Sequence, residues 1–248
     1  MNTNNQSNFL EAGSFRAQWL SGLASDNPEG LPTPMSFEAA SHRGNKQETN
    51  EDHYYVQELV DGSLLVAVAD GKGGGSASSL AIRAVPDSGI IAGVDGESLG
   101  QVVTEGHNAV REYSATHQGM RTALTAAIVR RESVSWAHMG DCRLYLLHEG
   151  TLTQLTSDQS DPLDDGYLCP TCSSTLQPEI GQASLGPDDI LLMCSDGLYK
   201  DVSHEAITAI LNLELSLWSK ADVLVRTALM NGGNDNITVT LVTSRYAS

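Results

Sequence analysis

Residues 64–71 read Leu-Leu-Val-Ala-Val-Ala-Asp-Gly, an unbroken apolar run that ends in an Asp-Gly pair. A run of this kind is typical of a β-strand that is covered on both faces. The apolar residues 190–194 repeat the arrangement, because they lead directly into Ser195-Asp196-Gly197-Leu198. The two stretches therefore predict two buried strands, each with an aspartate at the point where the strand ends.

Two further acidic motifs lie far from these in the chain. They are Asn50-Glu51-Asp52 and Gly233-Asn234-Asp235-Asn236, and the second leads into the strand-like residues 237–242. We expect the carboxylates to converge at one end of a folded sheet. Clustered carboxylates repel one another unless a hard cation lies between them, and oxygen ligands of this kind suit Mg²⁺, Mn²⁺ or Ca²⁺. The motifs indicate a two-metal hydrolase.

The domain organisation follows from length and composition. Residues 1–35 are rich in Asn, Ser, Gly and Pro, and we interpret them as a partly ordered N-terminal arm with one short helix over Phe9–Leu23. No linker-like run follows, so residues 36–248 are predicted to form one domain. The hydrophobic fraction of 40% is ordinary for a protein with a buried core.

The charge balance excludes a nucleic-acid partner. The formal net charge is −17, whereas binding to nucleic-acid phosphates relies on Lys and Arg for counterion release. The apolar runs fall short of the roughly 18 residues of a membrane span, and the N-terminus lacks the pattern of a signal peptide. We expect no membrane association and a cytoplasmic location.

Strand-like and helix-like patterns alternate from Phe37 onward. Strands are expected at residues 64–69, 122–129, 133–139, 143–148, 152–155, 190–194 and 237–242. Helices are expected at residues 76–85, 97–117, 204–217 and 221–230, whereas residues 157–189 form a long irregular stretch. This mixture fits two sheets that face one another with helices outside.

Several conspicuous residues have simpler interpretations. Asp61-Gly62 and Asp95-Gly96 are expected to be turns. Cys194 and His138 lie in strand-like runs and are expected in the core. Cys169-Pro170-Thr171-Cys172 has the spacing of half a zinc site, but no second pair accompanies it. A zinc or redox role for this pair stays open.

Taken in chain order, five motifs are similar to those of the metal-dependent protein phosphatases of the PPM (PP2C) family, in particular its bacterial-type members. They are Asn50-Glu51-Asp52, Val68-Ala69-Asp70-Gly71, Gly140-Asp141-Cys142-Arg143-Leu144-Tyr145, Ser195-Asp196-Gly197-Leu198 and Gly233-Asn234-Asp235-Asn236-Ile237-Thr238-Val239. Each motif alone is a weak signal, but five in the family's order are specific. The resemblance covers about Phe37 to Val242.

The resemblance implies an α+β fold, a four-layer α/β/β/α sandwich in which helices flank a central β-sandwich of two mostly antiparallel sheets. It also implies a centre of two Mn²⁺ or Mg²⁺ ions at one end of the sandwich. Asp70 would bridge the ions, and the Gly71 carbonyl would bind one of them. Asp196 and Asp235 would hold the other.

Three further acidic residues complete the implied site. Glu51 and Asp52 would contact the ions or their waters, and Asp141 would bind a third, weaker ion. Asn234 and Asn236 flank Asp235, and we expect them to orient its carboxylate through local hydrogen bonds.

The implied activity is hydrolysis of phosphoserine and phosphothreonine in proteins, by in-line attack of a water held by the metals. Two cations suit this reaction because they lower the pKa of a bridging water and neutralise charge on the phosphoryl oxygens. The residues expected in catalysis are Asp70, Asp196, Asp235 and Glu51. The implied partners are a phosphorylated protein and an opposing Ser/Thr kinase or its targets, with the chain acting as a monomer in signalling.

Two positions depart from the family pattern. Members usually carry a phosphate-binding arginine three residues before Asn-Glu-Asp, and this chain has Gln47 there. Glutamine cannot form the charged, bidentate contact of arginine with phosphate. Lys72 follows Asp70-Gly71, where relatives often have Met or His. We interpret Lys72, or the nearby Arg43 or Lys46, as the replacement, so the predicted phosphate site is Lys72, Gln47 and Arg43.

Two alternatives to a protein phosphatase remain at this stage. The first is a pseudophosphatase, a module that binds a phosphoprotein or kinase without turnover, which Gln47 favours. Retention of Asp70, Asp196 and Asp235 favours the enzyme, because a pure binding module need not keep a costly carboxylate cluster. The second is a phosphatase that acts on a small phosphorylated metabolite.

Overall fold

The computed structural model describes residues 20–21, 35–73, 77–87, 96–115, 119–159 and 177–243. Its strands are β1 (Leu20–Ser21), β2 (Ser36–His42), β3 (His53–Glu58), β4 (Leu64–Lys72), β5 (Arg121–Arg130), β6 (Ser133–Met139), β7 (Arg143–His148), β8 (Thr151–Gln154), β9 (Glu179–Ser184), β10 (Ile190–Cys194) and β11 (Ile237–Thr243). Its helices are α1 (Ala77–Asp87), α2 (Gly96–Ser114), α3 (Asp196–Tyr199), α4 (His204–Leu211) and α5 (Leu217–Met230).

The strands form two antiparallel sheets. The six-stranded sheet has the order β1-β2-β11-β10-β7-β8, and the five-stranded sheet has the order β3-β4-β5-β6-β9. Helices α1 and α2 pack on the five-stranded sheet, and α4 and α5 pack on the six-stranded sheet. The predicted α+β sandwich of four layers is confirmed.

Strand β4 is an unbroken apolar run because both of its faces are buried. Its side chains alternate between the two faces of the sheet, and both faces are covered. Leu64, Val66 and Val68 pack in the core between the two sheets. Leu65, Ala67 and Ala69 pack in the core under α1 and α2. Strand β10 is placed in the same way in the other sheet, between the inter-sheet core and the core under α4 and α5.

Two turns match the sequence interpretation. The hairpin between β7 and β8 turns at Glu149 and Gly150, which have φ values of 47° and 79°, as a two-residue hairpin turn of this hand requires. Asp61-Gly62 is also a turn, in which the Asp61 carboxylate accepts a hydrogen bond of 3.0 Å from the Ser63 amide. Asp95 lies outside the described residues.

Three sequence predictions need correction. Leu20 and Ser21 pair with β2 as a strand, so the helix predicted over Phe9–Leu23 is wrong there, and the rest of that span lies outside the described residues. Strand β9 lies within the stretch that was expected to be irregular, because it pairs with the edge of β6. Its exposure alternates along the chain, but no apolar run marks it.

The helix predicted at residues 204–217 is the third correction. It ends at Leu211, and α5 begins at Leu217, where the Ser216 hydroxyl caps the helix by accepting a hydrogen bond of 3.1 Å from the Ser219 amide. The division into an arm and a domain at residue 35 stays a prediction. No helix in the described part of the chain is long and apolar enough to cross a membrane.

Candidate metal centre

Five aspartates meet at one end of the sandwich. Asp70 lies near the end of β4, Asp196 begins α3 and is separated from β10 by one residue, and Asp235 lies just before β11. Asp52 precedes β3, and Asp141 lies in the link between β6 and β7. The charges of the other four all raise the pKa of Asp70. The structure therefore brings together carboxylates that lie as far apart in sequence as residues 52 and 235.

The electrostatics of this cluster are unfavourable without a cation. Loss of hydration, followed by repulsion from neighbouring carboxylates, holds the pKa of Asp70 well above its usual value. Desolvation and then the charge of Asp196 raise the pKa of Asp141 to about 7. Desolvation also raises the pKa of Asp52 to about 7, against the effect of its hydrogen bonds. These shifts all measure the cost of placing negative charges together away from water.

Two buried carboxylate oxygens of this cluster have no hydrogen-bond partner among the described residues. Asp52 Oδ1 and Asp196 Oδ1 accept no hydrogen bond, although the Asp52 side chain is only 2% exposed and that of Asp196 is fully buried. Orphaned carboxylate oxygens are costly in a protein interior and are the preferred ligands of hard divalent cations. By this test the cluster fits Mn²⁺ or Mg²⁺.

The ligand arrangement itself is not assembled. Among the described residues, no group of three or more His, Cys, Asp or Glu side chains already has the geometry to hold a metal ion. Two of the aspartates instead accept a hydrogen bond from a side-chain amide or ammonium group. Gln47 Nε2 donates to Asp235 Oδ1 over 2.9 Å, and Lys200 Nζ donates to Asp196 Oδ2.

Two glycines allow the surrounding backbone to approach closely. A Cβ atom at Gly71 would lie 2.8 Å from Ser78 Oγ and 3.0 Å from the Glu51 carbonyl oxygen. A Cβ atom at Gly197 would overlap the carbonyl of Asn236. A larger residue at either position would push apart the segments that carry the acidic residues.

Asn236 ties the loop of residues 43–51 to the loop that carries Asp235. Its Oδ1 accepts from the Glu51 amide over 2.7 Å, and its Nδ2 donates to the carbonyls of Arg43 and Thr49 over 2.8 and 2.9 Å. The backbone amide of Asn236, not its side chain, donates to Asp235 Oδ1 over 2.9 Å.

The role expected for Asn234 is wrong in this structure. Its side-chain Nδ2 and its backbone amide donate to the two carboxylate oxygens of Asp201, each over 2.9 Å. Asn234 therefore fixes the loop that carries Asp235 to the segment after α3. In the part of the chain that the structure describes, its side chain forms no hydrogen bond with Asp235.

The residues predicted to bind phosphate lie in or next to the chain segments that carry the acidic residues. Arg43 is exposed, and its Nη1 donates to the Gln47 carbonyl over 2.8 Å. Lys72 is exposed at the end of β4, two residues from Asp70. The Gln47 side chain is directed at Asp235. Their role toward a substrate stays a prediction.

Sequence reasoning missed two residues of this region. Ser195 is fully buried, and its hydroxyl donates to Asp52 Oδ2 over 2.6 Å. Lys200 contacts Asp196 one helical turn away. The spacing of four residues between Asp196 and Lys200 was the available signal, since side chains at that spacing are neighbours on a helix.

The core assignments were correct. Cys194 is fully buried. His138 is also fully buried, and its Nδ1 lies 2.8 Å from Thr125 Oγ1. Cys169 and Cys172 lie outside the described residues, so the role of that pair stays open.

Comparison with known proteins identifies the family. The protein phosphatase 2C model matches residues 39–230, and the chain belongs to the protein phosphatase 2C family. It is 33% identical over 240 residues to the serine/threonine phosphatase stp of Listeria welshimeri, an alignment that covers 84% of this chain and 95% of that protein.

A mycobacterial relative agrees in sequence and in fold. The chain is 30% identical over 237 residues to the serine/threonine protein phosphatase PstP of Mycobacterium tuberculosis, covering 83% of this chain but only 44% of that protein. The solved catalytic domain of PstP, in complex with two manganese ions, superimposes with a TM-score of 0.73 at 30% identity. That superposition covers 84% of this chain and 97% of the solved one.

Proposed function

We propose that this chain is a metal-dependent protein phosphatase that hydrolyses phosphoserine and phosphothreonine. The observation that carries the proposal is the convergence of Asp52, Asp70, Asp141, Asp196 and Asp235 at one end of the sandwich, where the pKa values of the first four are raised and two carboxylate oxygens are orphaned. Its relatives are named serine/threonine phosphatases. Substrates and partners are part of the proposal, because the chain spans less than half of the mycobacterial relative.

The proposed ligands of the two metal ions are those predicted from the sequence, and Asp141 stays the predicted ligand of a third, weaker ion. Asp70, Asp196, Asp235 and the Gly71 carbonyl would hold two Mn²⁺ or Mg²⁺ ions, and Glu51 and Asp52 would complete their surroundings. Two manganese ions are present in the solved PstP catalytic domain, which supports this choice. Such cations supply charge neutralisation at the phosphoryl oxygens and a lowered pKa for bound water.

The chain's own residues prepare the site. The Ser195 hydroxyl holds Asp52 from the six-stranded sheet, and the Asn236 side chain holds the backbone at Glu51. These bonds fix the two sheets relative to one another at the end where the carboxylates meet. A rigid centre holds its charged groups in position before the substrate binds. These groups can then stabilise the charge of the transition state without first having to move.

Substrate phosphate is assigned to cationic side chains at the rim. We place Arg43 and Lys72 there, because both are exposed, Lys72 lies two residues after Asp70, and Arg43 contacts the residue whose side chain binds Asp235. Gln47 contributes to the phosphate site indirectly. Its side-chain amide donates a hydrogen bond to Asp235, and its backbone carbonyl accepts one from Arg43. This arrangement gives the segment around residue 47 a cation even though the usual arginine is missing.

Nothing in the relatives' names favours a binding module without turnover or a small-metabolite phosphatase. A cytoplasmic location, a monomeric state, a role in signalling and an opposing Ser/Thr kinase stay predictions from the sequence.

Hydrolysis of p-nitrophenyl phosphate and of a phosphothreonine peptide tests the proposal, measured with Mn²⁺ and with a chelator. We expect metal-dependent turnover of both substrates, and a loss of at least about 100-fold in Asp70→Asn, the scale found when a group that stabilises transition-state charge is removed. The matched control is Asp61→Asn, in the surface turn before β4, which keeps full activity. Absence of Mn²⁺-dependent turnover in the wild type would contradict the proposed phosphatase activity.

A further inference from the structure

The side chain of Gln47 contacts one of the proposed metal ligands. Its Nε2 donates to Asp235 Oδ1 over 2.9 Å, and both side chains are partly shielded from solvent. The backbone amide of Asn236 donates to the same oxygen, also over 2.9 Å. A carboxylate oxygen has two lone pairs, and these two donors use both of those on Oδ1. Oδ2 is therefore the oxygen of Asp235 that is left for a divalent cation.

The segment before Gln47 packs closely on the loop that carries Asp235. Gly44 has a φ of 78°, and a Cβ atom there would lie 2.1 Å from the Asp235 carbonyl oxygen. The Asn45 amide donates to the Gly233 carbonyl over 2.7 Å. These backbone contacts fix the two segments against one another, so Gln47 reaches the Asp235 carboxylate from a backbone that is itself held in place.

A neutral donor suits this position beside a metal ligand. The Gln47 amide orients the Asp235 carboxylate without adding positive charge, so it does not repel a cation at Oδ2. An arginine at residue 47 would always be charged and would bring that charge to the carboxylate. Groups that orient metal ligands through hydrogen bonds typically change metal affinity by about 10- to 100-fold when they are removed.

We propose that Gln47 is a positioning residue for the metal ligand Asp235 and that it raises the affinity of the centre for divalent cations. The inference rests on the proposed metal-dependent function. It assigns the Gln47 side chain to the metal centre, while the Gln47 backbone carbonyl accepts from Arg43, a proposed phosphate contact. The residue that stands where the family usually has an arginine thus strengthens metal binding in this chain.

Calorimetric titration of the whole chain with Mn²⁺ alone tests this inference. Gln47→Met keeps the length of the side chain but cannot donate a hydrogen bond. We expect it to bind Mn²⁺ about 10- to 100-fold more weakly than the wild type. The matched control is Gln57→Met, at an exposed position of β3 where the side-chain oxygen accepts from the Tyr55 hydroxyl over 2.6 Å. Gln57→Met keeps the Mn²⁺ affinity of the wild type.

Melting curves in a chelator distinguish positioning from a purely structural role. We expect the metal-free wild type and Gln47→Met to melt within about 3 °C of one another, because a partly exposed side chain contributes little to stability. A larger fall in melting temperature would make Gln47 a structural residue and overturn the inference. Equal Mn²⁺ affinity together with a raised KM for a phosphopeptide would assign Gln47 to the substrate phosphate and also overturn it.

The titrations separate this inference from the proposed function. Equal Mn²⁺ affinity in the wild type and Gln47→Met, or an equal loss in Gln57→Met, would overturn the role of Gln47 and leave the metal-dependent function standing. No Mn²⁺ binding in the wild type would overturn the proposed function, and the inference with it.

Discussion

The Ser195 hydroxyl donates a hydrogen bond of 2.6 Å to Oδ2 of Asp52, although the two residues are 143 positions apart. Ser195 follows β10 in the six-stranded sheet, and Asp52 precedes β3 in the five-stranded sheet. The same hydroxyl accepts from the Thr238 amide over 3.0 Å. One buried serine thus joins the two sheets at the end of the sandwich where the carboxylates meet.

We expect Ser195→Ala to lower the free energy of unfolding by about 1–3 kcal/mol, because it removes the hydrogen bond that the Ser195 hydroxyl donates to the buried Asp52 carboxylate. The Thr238 amide loses its acceptor as well. Chemical denaturation of the metal-free protein measures the change. Ser184→Ala, at an exposed position of β9, is the control and changes stability little. Equal stability of the two variants would show that the bond between the sheets contributes nothing.

Asn236→Ala is predicted to weaken both the fold and the metal site. The variant removes the bonds that the side chain makes to Glu51, Arg43 and Thr49, so we expect a loss of about 2–4 kcal/mol in unfolding free energy. Mn²⁺ affinity falls by about 10- to 100-fold, as for other groups that orient metal ligands. Denaturation and calorimetry measure the two effects.

The matched control for this variant is Asn234→Ala, two residues away. Its exposed side chain binds Asp201 and not the segment of residues 43–51. We expect it to retain Mn²⁺ affinity. A loss of affinity in Asn234→Ala as large as in Asn236→Ala would contradict the assignment.

The pKa of Asp52 predicts how metal-free stability varies with pH. Desolvation raises this pKa to about 7, whereas the unfolded value is about 4. The folded state therefore holds a proton that the unfolded state has lost, and the stability from this proton disappears as the pH rises through about 7. Asp52→Asn cannot titrate, so it becomes more stable relative to the wild type with increasing pH.

Melting temperatures of both proteins in a chelator measure this difference. Between about pH 5 and pH 8, we expect the melting temperature of the variant minus that of the wild type to rise by at least about 3 °C. The comparison cancels titrating groups that do not interact with Asp52, such as the buried His107, whose pKa desolvation lowers to about 4. A constant or falling difference would refute the raised pKa of Asp52.

The phosphate contact is tested at Lys72 and Gln47. Lys72→Met removes an exposed cation beside Asp70, and we expect kcat/KM for a phosphopeptide to fall by about tenfold, the loss of one charged hydrogen bond. Gln47→Arg restores the family's arginine, and we expect it to raise kcat/KM. Steady-state kinetics with saturating Mn²⁺ measure both. An unchanged kcat/KM in Lys72→Met would rule out Lys72 and leave Arg43 and Lys46 as the remaining candidates.

Strand β4, which carries Asp70, and strand β10, which leads to Asp196, were predictable because the sequence signal is local. Each is an apolar run covered on both faces, and the aspartate follows within the same segment. Strand β9 was not predictable in this way, since it forms by pairing with the edge of β6 and its own residues carry no apolar run. A strand that depends on its neighbour for its hydrogen bonds leaves little trace in its sequence.

The residues around the metal centre show the same difference between features that the sequence predicts and features that depend on the fold. The order of the acidic motifs identified Asp52, Asp70, Asp141, Asp196 and Asp235 as one group, because that order is a property of the chain. Asn234 and Asn236 look equivalent in the sequence, yet one binds Asp201 and the other binds the segment of residues 43–51. Side-chain direction decides between them, and that direction is set by the backbone of the folded loop.

The sequence by itself determined the layered α+β fold, the acidic motifs and the family, since apolar periodicity and motif order are written along the chain. Only the tertiary structure decided how the charges are matched, because a buried carboxylate takes its partner from whichever segment folding places beside it. Ser195 beside Asp52, Gln47 beside Asp235 and Lys200 beside Asp196 are such partners. The sequence determines which acidic residues lie at this end of the sandwich, and the tertiary structure determines which side chains bind them.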